Sequence, residues 1–146
     1  MPQGGAITLG GTLPIMFVAW RYGLNVGLVE GFLFGITEIF IDPFILHPVQ
    51  VLFDYPLPFM MLGLAALFPK NFFVGAAAAA FGMFLCHFIS GVVFFGSYAP
   101  DGTSAVMWSL MINGANVAGD LLVVLLLIKL LPIRRLLDAM DKDYVR

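Results

Sequence analysis

The sequence predicts an all-α integral membrane protein, a bundle of about five transmembrane helices, and three observations carry that prediction. First, 61% of the 146 residues are hydrophobic and only 11% are charged, against roughly 25% charged in soluble domains. Second, no Asp, Glu, Lys or Arg falls within residues 1–20, 55–69, 71–100 or 102–119. Third, breakers part the chain into apolar segments near the length that a bilayer asks of a helix, about 20 residues at 1.5 Å each. A soluble globular fold is excluded. The length leaves room for a single transmembrane domain, residues 1–146.

The first segment, about 9–21, is short and is closed by Arg21-Tyr22-Gly23. The second, 24–41, is closed by Asp42-Pro43 and places Gly23, Gly27, Gly31 and Gly35 four residues apart. Such spacing makes a ridge without side chains, along which a neighbouring helix can lie closely. A seam inside the bundle is the simpler reading, and a docking face for a partner subunit is the other. The third segment, 54–68, is again short and is closed by Pro69-Lys70-Asn71. The fourth, 72–96, carries Cys86 and His87 inside an apolar run. The fifth, 104–132, sets Ser109, Asn113, Asn116 and Asp120 within about 60° of arc, so one helix face stays polar through the membrane. Residues 133–146 alternate apolar and charged and read as an interfacial tail.

Orientation follows from the basic residues, which are retained on the cytoplasmic side of short loops. Arg21, Lys70 and the group Arg134, Arg135, Lys142 and Arg146 fall at alternate ends of the segments. The turns at 21–23 and 69–71 and the C-terminus are therefore expected inside. Residues 42–53 and 97–103, with Asp42, Asp54 and Asp101 and no Lys or Arg, are expected outside. Counting back through five spans puts the N-terminus outside and asks for a further helix ahead of it. The start has no basic region before its apolar residues, so it does not read as a cleavable signal peptide.

Several function classes fall away. A net charge of -2 with no Lys/Arg patch does not fit phosphate-backbone binding. One cysteine gives no disulfide framework, and His47 and His87 form no metal-binding pair, so no metal is expected. No Walker A sequence is present, so the chain itself does not hydrolyse ATP.

What remains concerns binding. Asp54-Tyr55-Pro56 lies where an outer loop turns back into the membrane, and an ionisable residue there is a functional candidate by default. A solvated helix N-cap is the plainer alternative. Phe44, Tyr55, Phe94, Phe95, Tyr98 and Trp108 gather at the same face. An interfacial aromatic belt accounts for some of them, but aromatic faces beside a carboxylate, with no basic residue, suit a flat organic cation. His87, with Ser90 and Gly91 one turn on, is either an interhelical hydrogen bonder or part of that site. Leaving a buried amide unsatisfied costs about 1–3 kcal/mol, so the polar stripe must meet other helices, water or a ligand. Its outer end, with Trp108 and Asn113, is the expected functional part.

Four ordered motifs then resemble the thiamine-binding subunit of energy-coupling-factor vitamin transporters. They are Gly11-Thr12-Leu13-Pro14-Ile15 leading to Arg21-Tyr22-Gly23; Asp54-Tyr55-Pro56-Leu57; Cys86-His87-Phe88-Ile89-Ser90-Gly91 running to Phe95-Gly96-Ser97-Tyr98-Ala99-Pro100; and Trp108-Ser109-Leu110 with Asn113-Gly114. The resemblance spans about residues 5–130. It implies a cell-membrane protein of six helices with both ends in the cytoplasm, capturing thiamine at the outer face without a cofactor. It also implies partners: a transmembrane coupling protein and two ATPases.

Carried over by position, the resemblance sets Asp54 against the thiazolium ring with Tyr55 stacked nearby. It gives His87 and Asn113 hydrogen bonds to the aminopyrimidine, and makes Phe95 and Trp108 aromatic walls where relatives are expected to have Trp and Tyr. Phe44 lies at the same face, in a loop to which the resemblance assigns no role. The family's first helix, with its small-residue docking motif, precedes the stretch from Gly4 to Pro14 and is not in this sequence. Three alternatives stand beside this reading. One is a binding subunit for another vitamin or a thiamine precursor, and another is a ligand-free membrane assembly subunit. The third, an intramembrane enzyme using Asp54, Asp120, Glu38 or His87, is disfavoured by the different depths of the two aspartates. Whether Glu30 and Glu38 face the pocket or another helix is open at this level.

Overall fold

The computed structural model describes residues 10–131, so the tail expected at 133–146 lies outside the described residues. Helix α1 (Leu13–Tyr22) opens with Pro14 in its first turn, where a missing N–H is no loss. It ends at Gly23, whose φ of +99° suits glycine alone and turns the chain directly into α2 (Leu24–Ile41). Along α2 the glycine ridge is a seam inside the bundle. Gly27 lies against Ala19 and Gly63, Gly31 against the backbone of Phe59 and Met60, and Gly35 against Tyr55 and Pro56. A Cβ on Gly35 would stand 2.7 Å from the Cα of Pro56, closer than packed atoms allow.

The next stretch departs from expectation. Residues 42–53, expected as an outer loop, are half helical: α3 (Pro48–Asp54) begins in a capping box in which His47 accepts from Val49 and Gln50 reaches back to the cap. The segment expected at 54–68 thus starts at Pro48 and breaks at Tyr55. It resumes as α4 (Pro56–Met61) and tightens into a 3-10 turn, Leu62–Leu67. Two prolines explain the break. Pro56 and Pro58 have no N–H to return to the carbonyls of Leu52 and Asp54, so a continuous helix would forfeit two bonds within one turn. Asp54 is consequently the last residue of α3 and not an N-cap.

Helix α5 (Phe72–Phe94) is capped by Asn71, whose Oδ1 accepts from Phe73 N at 3.1 Å and Val74 N at 3.3 Å. Helix α6 (Ala105–Leu130) is capped by Ser104, whose Oγ accepts from Met107 N at 3.2 Å. The two run antiparallel, and Gly91 lets α6 approach so closely that Ser109 Oγ donates to the carbonyl of Phe88 at 2.8 Å. Small and medium side chains, Ala19, Ala65, Ala76, Ala79 and Val124 among them, fill the centre.

Among the described residues, four stretches are long and apolar enough to cross a bilayer: Leu24–Ile41, Pro48–Leu67, Phe72–Phe94 and Ala105–Leu130. With ten residues, α1 reaches about 15 Å, half of the roughly 30 Å hydrocarbon core. Large apolar side chains such as Phe40, Leu33, Phe81 and Leu122 stand outward, as they do where lipid is the solvent. The chain is an all-α multi-pass membrane protein.

Candidate ligand-binding cavity

The break at Tyr55 positions the site. By ending α3 there, it turns Asp54 and Tyr55 inward against α5 and α6, and a cavity of about 200 Å3 opens between them. All six residues singled out from the sequence, Asp54, Tyr55, His87, Phe95, Trp108 and Asn113, line it. Four carboxylates face it as well: Glu38, Asp42, Asp54 and Asp120. Among the described residues, no Lys or Arg lines it. The field of these carboxylates favours a cation.

Asp54 is held from two sides. Its Oδ2 accepts from Gln50 Nε2 at 2.6 Å, and its Oδ1 lies 3.7 Å from His87 Nδ1. Gln50 is 1% exposed and is the hub of this corner. Its Nε2 also donates to the Phe44 carbonyl at 3.0 Å, while its Oε1 accepts from Leu46 N at 2.9 Å. Gln50 was not singled out in the sequence. The available signals were the capping pattern His47-Pro48-x-Gln50 and its place four residues before Asp54, on the same helix face.

Tyr55 does something other than simple stacking. Its hydroxyl donates to the Asp42 carbonyl at 2.8 Å and accepts from Phe44 N at 2.7 Å, which ties the 42–44 segment over the cavity. Phe44, so placed, stacks on Phe95 with centroids 5.7 Å apart and planes 28° from parallel. Phe95 in turn packs on Tyr98 at 5.9 Å. Phe94 turns away from the cavity lining and stacks on His47 at 5.4 Å.

On α6, Asn113 Nδ2 donates to Ser109 Oγ at 3.0 Å. That bond continues the chain from Ser109 to Phe88 and fixes the Asn113 amide at the cavity wall. Trp108 Nε1 is buried with no hydrogen-bond partner among the described residues. The polar stripe expected on this helix lines the cavity at Ser109, Asn113, Asn116 and Asp120. Glu38 faces the cavity, whereas Glu30 lies in a separate groove with Asn25, Phe34 and Thr37 on the outside of α2. Ser90 is fully buried but does not line the cavity. No cluster of three or more potential metal ligands occurs among the described residues.

Comparison with known proteins agrees on one family. Residues 1–138 match the family described as thiamine transporter protein. The thiamine transporter ThiT of Bacillus subtilis (strain 168) is 34% identical, in an alignment covering 90% of this chain and 77% of that protein. ThiT of Lacticaseibacillus paracasei is 32% identical, over 73% of this chain and 63% of its own length. The solved structure of ThiT from Listeria monocytogenes superposes with a TM-score of 0.80 at 25% identity, covering 87% of this chain and 78% of that one.

Proposed function

The chain belongs to the thiamine transporter family, and from that premise we propose that it is the substrate-capture subunit of an energy-coupling-factor transporter, binding thiamine at the outer face of the membrane. Its activity is transport and not catalysis. The observation that carries the reading is the cavity itself, lined among the described residues by four carboxylates, no Lys or Arg, and aromatic faces from Phe44, Phe95 and Trp108. Thiamine carries a flat cationic thiazolium ring, and each cation–π contact adds roughly 0.5–2 kcal/mol.

In this reading Asp54, braced by Gln50, faces the thiazolium ring. Phe95 and Trp108 form walls, with Phe44 closing over from the loop. His87 and Asn113 hydrogen-bond the aminopyrimidine. Tyr55 contributes the edge of the wall and, through its hydroxyl, the position of Phe44. The cavity end of the bundle faces outward and the C-terminus lies in the cytoplasm, in keeping with Arg21 and Lys70 at the opposite ends of their helices. Uptake is driven by a transmembrane coupling protein and two ATPase subunits supplied by other chains.

The test is a titration of detergent-purified protein with thiamine, following the quenching of Trp108 fluorescence in a Trp20→Phe background. Riboflavin and biotin serve as controls. Saturable quenching by thiamine alone is expected. An equal response to all three, or none to thiamine, refutes the assignment.

A further inference from the structure

The hold on Asp54 begins at the other end of its helix. His47 caps α3, and its Nδ1 accepts from Val49 N at 3.1 Å. A ring nitrogen that accepts from a backbone N–H keeps its lone pair, so the bonded ring is neutral, with its proton on Nε2. Pro48, the first residue of α3, has no N–H, which makes Val49 the first donor for a cap to meet. The main chain of His47 serves the same turn, its carbonyl accepting from Val51 N at 3.1 Å and its N–H reaching Gln50 Oε1 at 3.5 Å. With seven residues, α3 has few bonds of its own to make up for a lost cap.

Gln50 ties this cap to the site. The side chain that closes the capping box is buried and donates to Asp54 Oδ2 at 2.6 Å. His47 itself is exposed. Histidine takes up its proton between about pH 8 and 5, and the protonated ring has a donor at both nitrogens and nothing to offer Val49. Phe94 lies against that ring with centroids 5.4 Å apart and planes 21° from parallel, a face that attracts a cation. Asp42 stands in the preceding segment and Asp54 at the far end of α3. Helix α3 packs on α4 and α5, where the titratable groups are Tyr55 at the junction with α4, and Cys86 and His87 on α5. Among the described residues, none of these groups forms an ion pair or a hydrogen bond with the His47 ring. A proton on His47 therefore removes the cap with no other bond in exchange.

We propose that His47 is a positioning residue for the ligand: its neutral ring locks the start of α3 and, through Gln50, the carboxylate of Asp54, so that acid at the outer face loosens the site. The inference rests on the thiamine reading above. Its sign is fixed by the acceptor. The cap is present where histidine is neutral and lost where it is charged, so falling pH weakens thiamine binding, and bound thiamine in turn disfavours a proton on His47.

The test titrates thiamine at about pH 8 and about pH 5.5 into wild type, His47→Asn and His47→Ala. Asparagine keeps a side-chain acceptor that no pH in this range removes, whereas alanine has none. His87, Asp54 and thiamine itself also titrate, but they do so in all three proteins, and ratios between proteins isolate His47. At the higher pH, wild type should match His47→Asn and bind about fivefold tighter than His47→Ala, the usual worth of one cap. At the lower pH it should match His47→Ala and fall about fivefold behind His47→Asn. Ratios that stay the same at both pH values overturn the proposal and leave thiamine binding intact, as does an asparagine variant no better than alanine at either. Nitrogen NMR of isotope-labelled histidine reads the wild type directly: with thiamine bound at the higher pH, His47 Nδ1 should carry no proton, and a protonated Nδ1 overturns the cap. Wild-type protein that binds no thiamine at either pH overturns the thiamine reading and this proposal together.

Discussion

Replacing Gln50 by leucine tests whether the corner around Asp54 must be held in place for binding. Four bonds disappear at once, those to Asp54 Oδ2, the Phe44 carbonyl, Leu46 N and, at 3.5 Å the longest, His47 N. Each neutral bond contributes about 0.5–1.5 kcal/mol net and the one to the carboxylate about 1.5–3. Part of this is recovered by solvation, because Leu46 is 47% exposed and the Asp54 side chain 18%. A net cost of about 2–3 kcal/mol remains. If thiamine binds only with Asp54 and Phe44 so arranged, that cost appears as a loss of roughly 30- to 150-fold in affinity, at about 1.4 kcal/mol per tenfold. The assay is calorimetric titration of wild type and Gln50→Leu in the same detergent, with thermal unfolding measured in parallel. Affinity within twofold of wild type, in a variant that is folded, would show that Gln50 is a structural residue with no hold on the site.

Asp54→Asn keeps the bond with Gln50 in shape and removes the charge, and it should weaken thiamine binding by roughly 2–5 kcal/mol; an unchanged Kd in the fluorescence titration takes Asp54 out of the site. Tyr55→Phe deletes only the hydroxyl that bridges Asp42 and Phe44. Hydrogen exchange at the Phe44 amide should then speed up by about tenfold, the equivalent of one lost bond, and equal rates argue that the loop is held by other means. Gly31→Val forces a Cβ into the backbone of Phe59 and should cost more than about 3 kcal/mol as overpacking against main chain. The readout is recovery of monodisperse protein and its Tm, and wild-type values would mean that α2 and α4 can separate.

The fold was legible where composition and breakers speak locally. Gly23 and Asn71 stand at helix ends because a left-handed corner needs glycine and a helix start needs a side-chain acceptor, and both needs show in single residues. The polar stripe on α6 was legible for a similar reason, since Ser109, Asn113, Asn116 and Asp120 repeat with the helix. Asp54, Tyr55, His87, Phe95, Trp108 and Asn113 stood out by charge, aromatic or polar character at the outer face and took their individual roles from resemblance, and the structure brings them to one cavity without showing what each does there. Where the reading ran out, the cause was length or distance. Seven residues of α3 are too few for a periodic pattern, so the 42–53 segment looked like loop and Gln50 stayed hidden. Tyr55 looked like a stacking ring because nothing in the sequence says that its hydroxyl meets a backbone 13 residues away. Glu30 and Glu38 differ only in which side of α2 the bundle covers, and that is decided by packing alone.

The interruption at Tyr55 also constrains how the protein is made. Helix α3 has seven residues and α4 with its 3-10 turn twelve, each too short to span the membrane by itself, and the prolines leave the carbonyls of Leu52 and Asp54 without a helical partner. The glycine face of α2 is the surface against which the second half lies, while α3 rests on α4 and α5. During synthesis the two segments therefore have reason to leave the translocon as one hairpin, α2 waiting at the exit until its partner has emerged. A mutation that fills a glycine on α2 would then be felt first as a failure of Pro48–Leu67 to enter the membrane, before any pocket exists to lose its ligand.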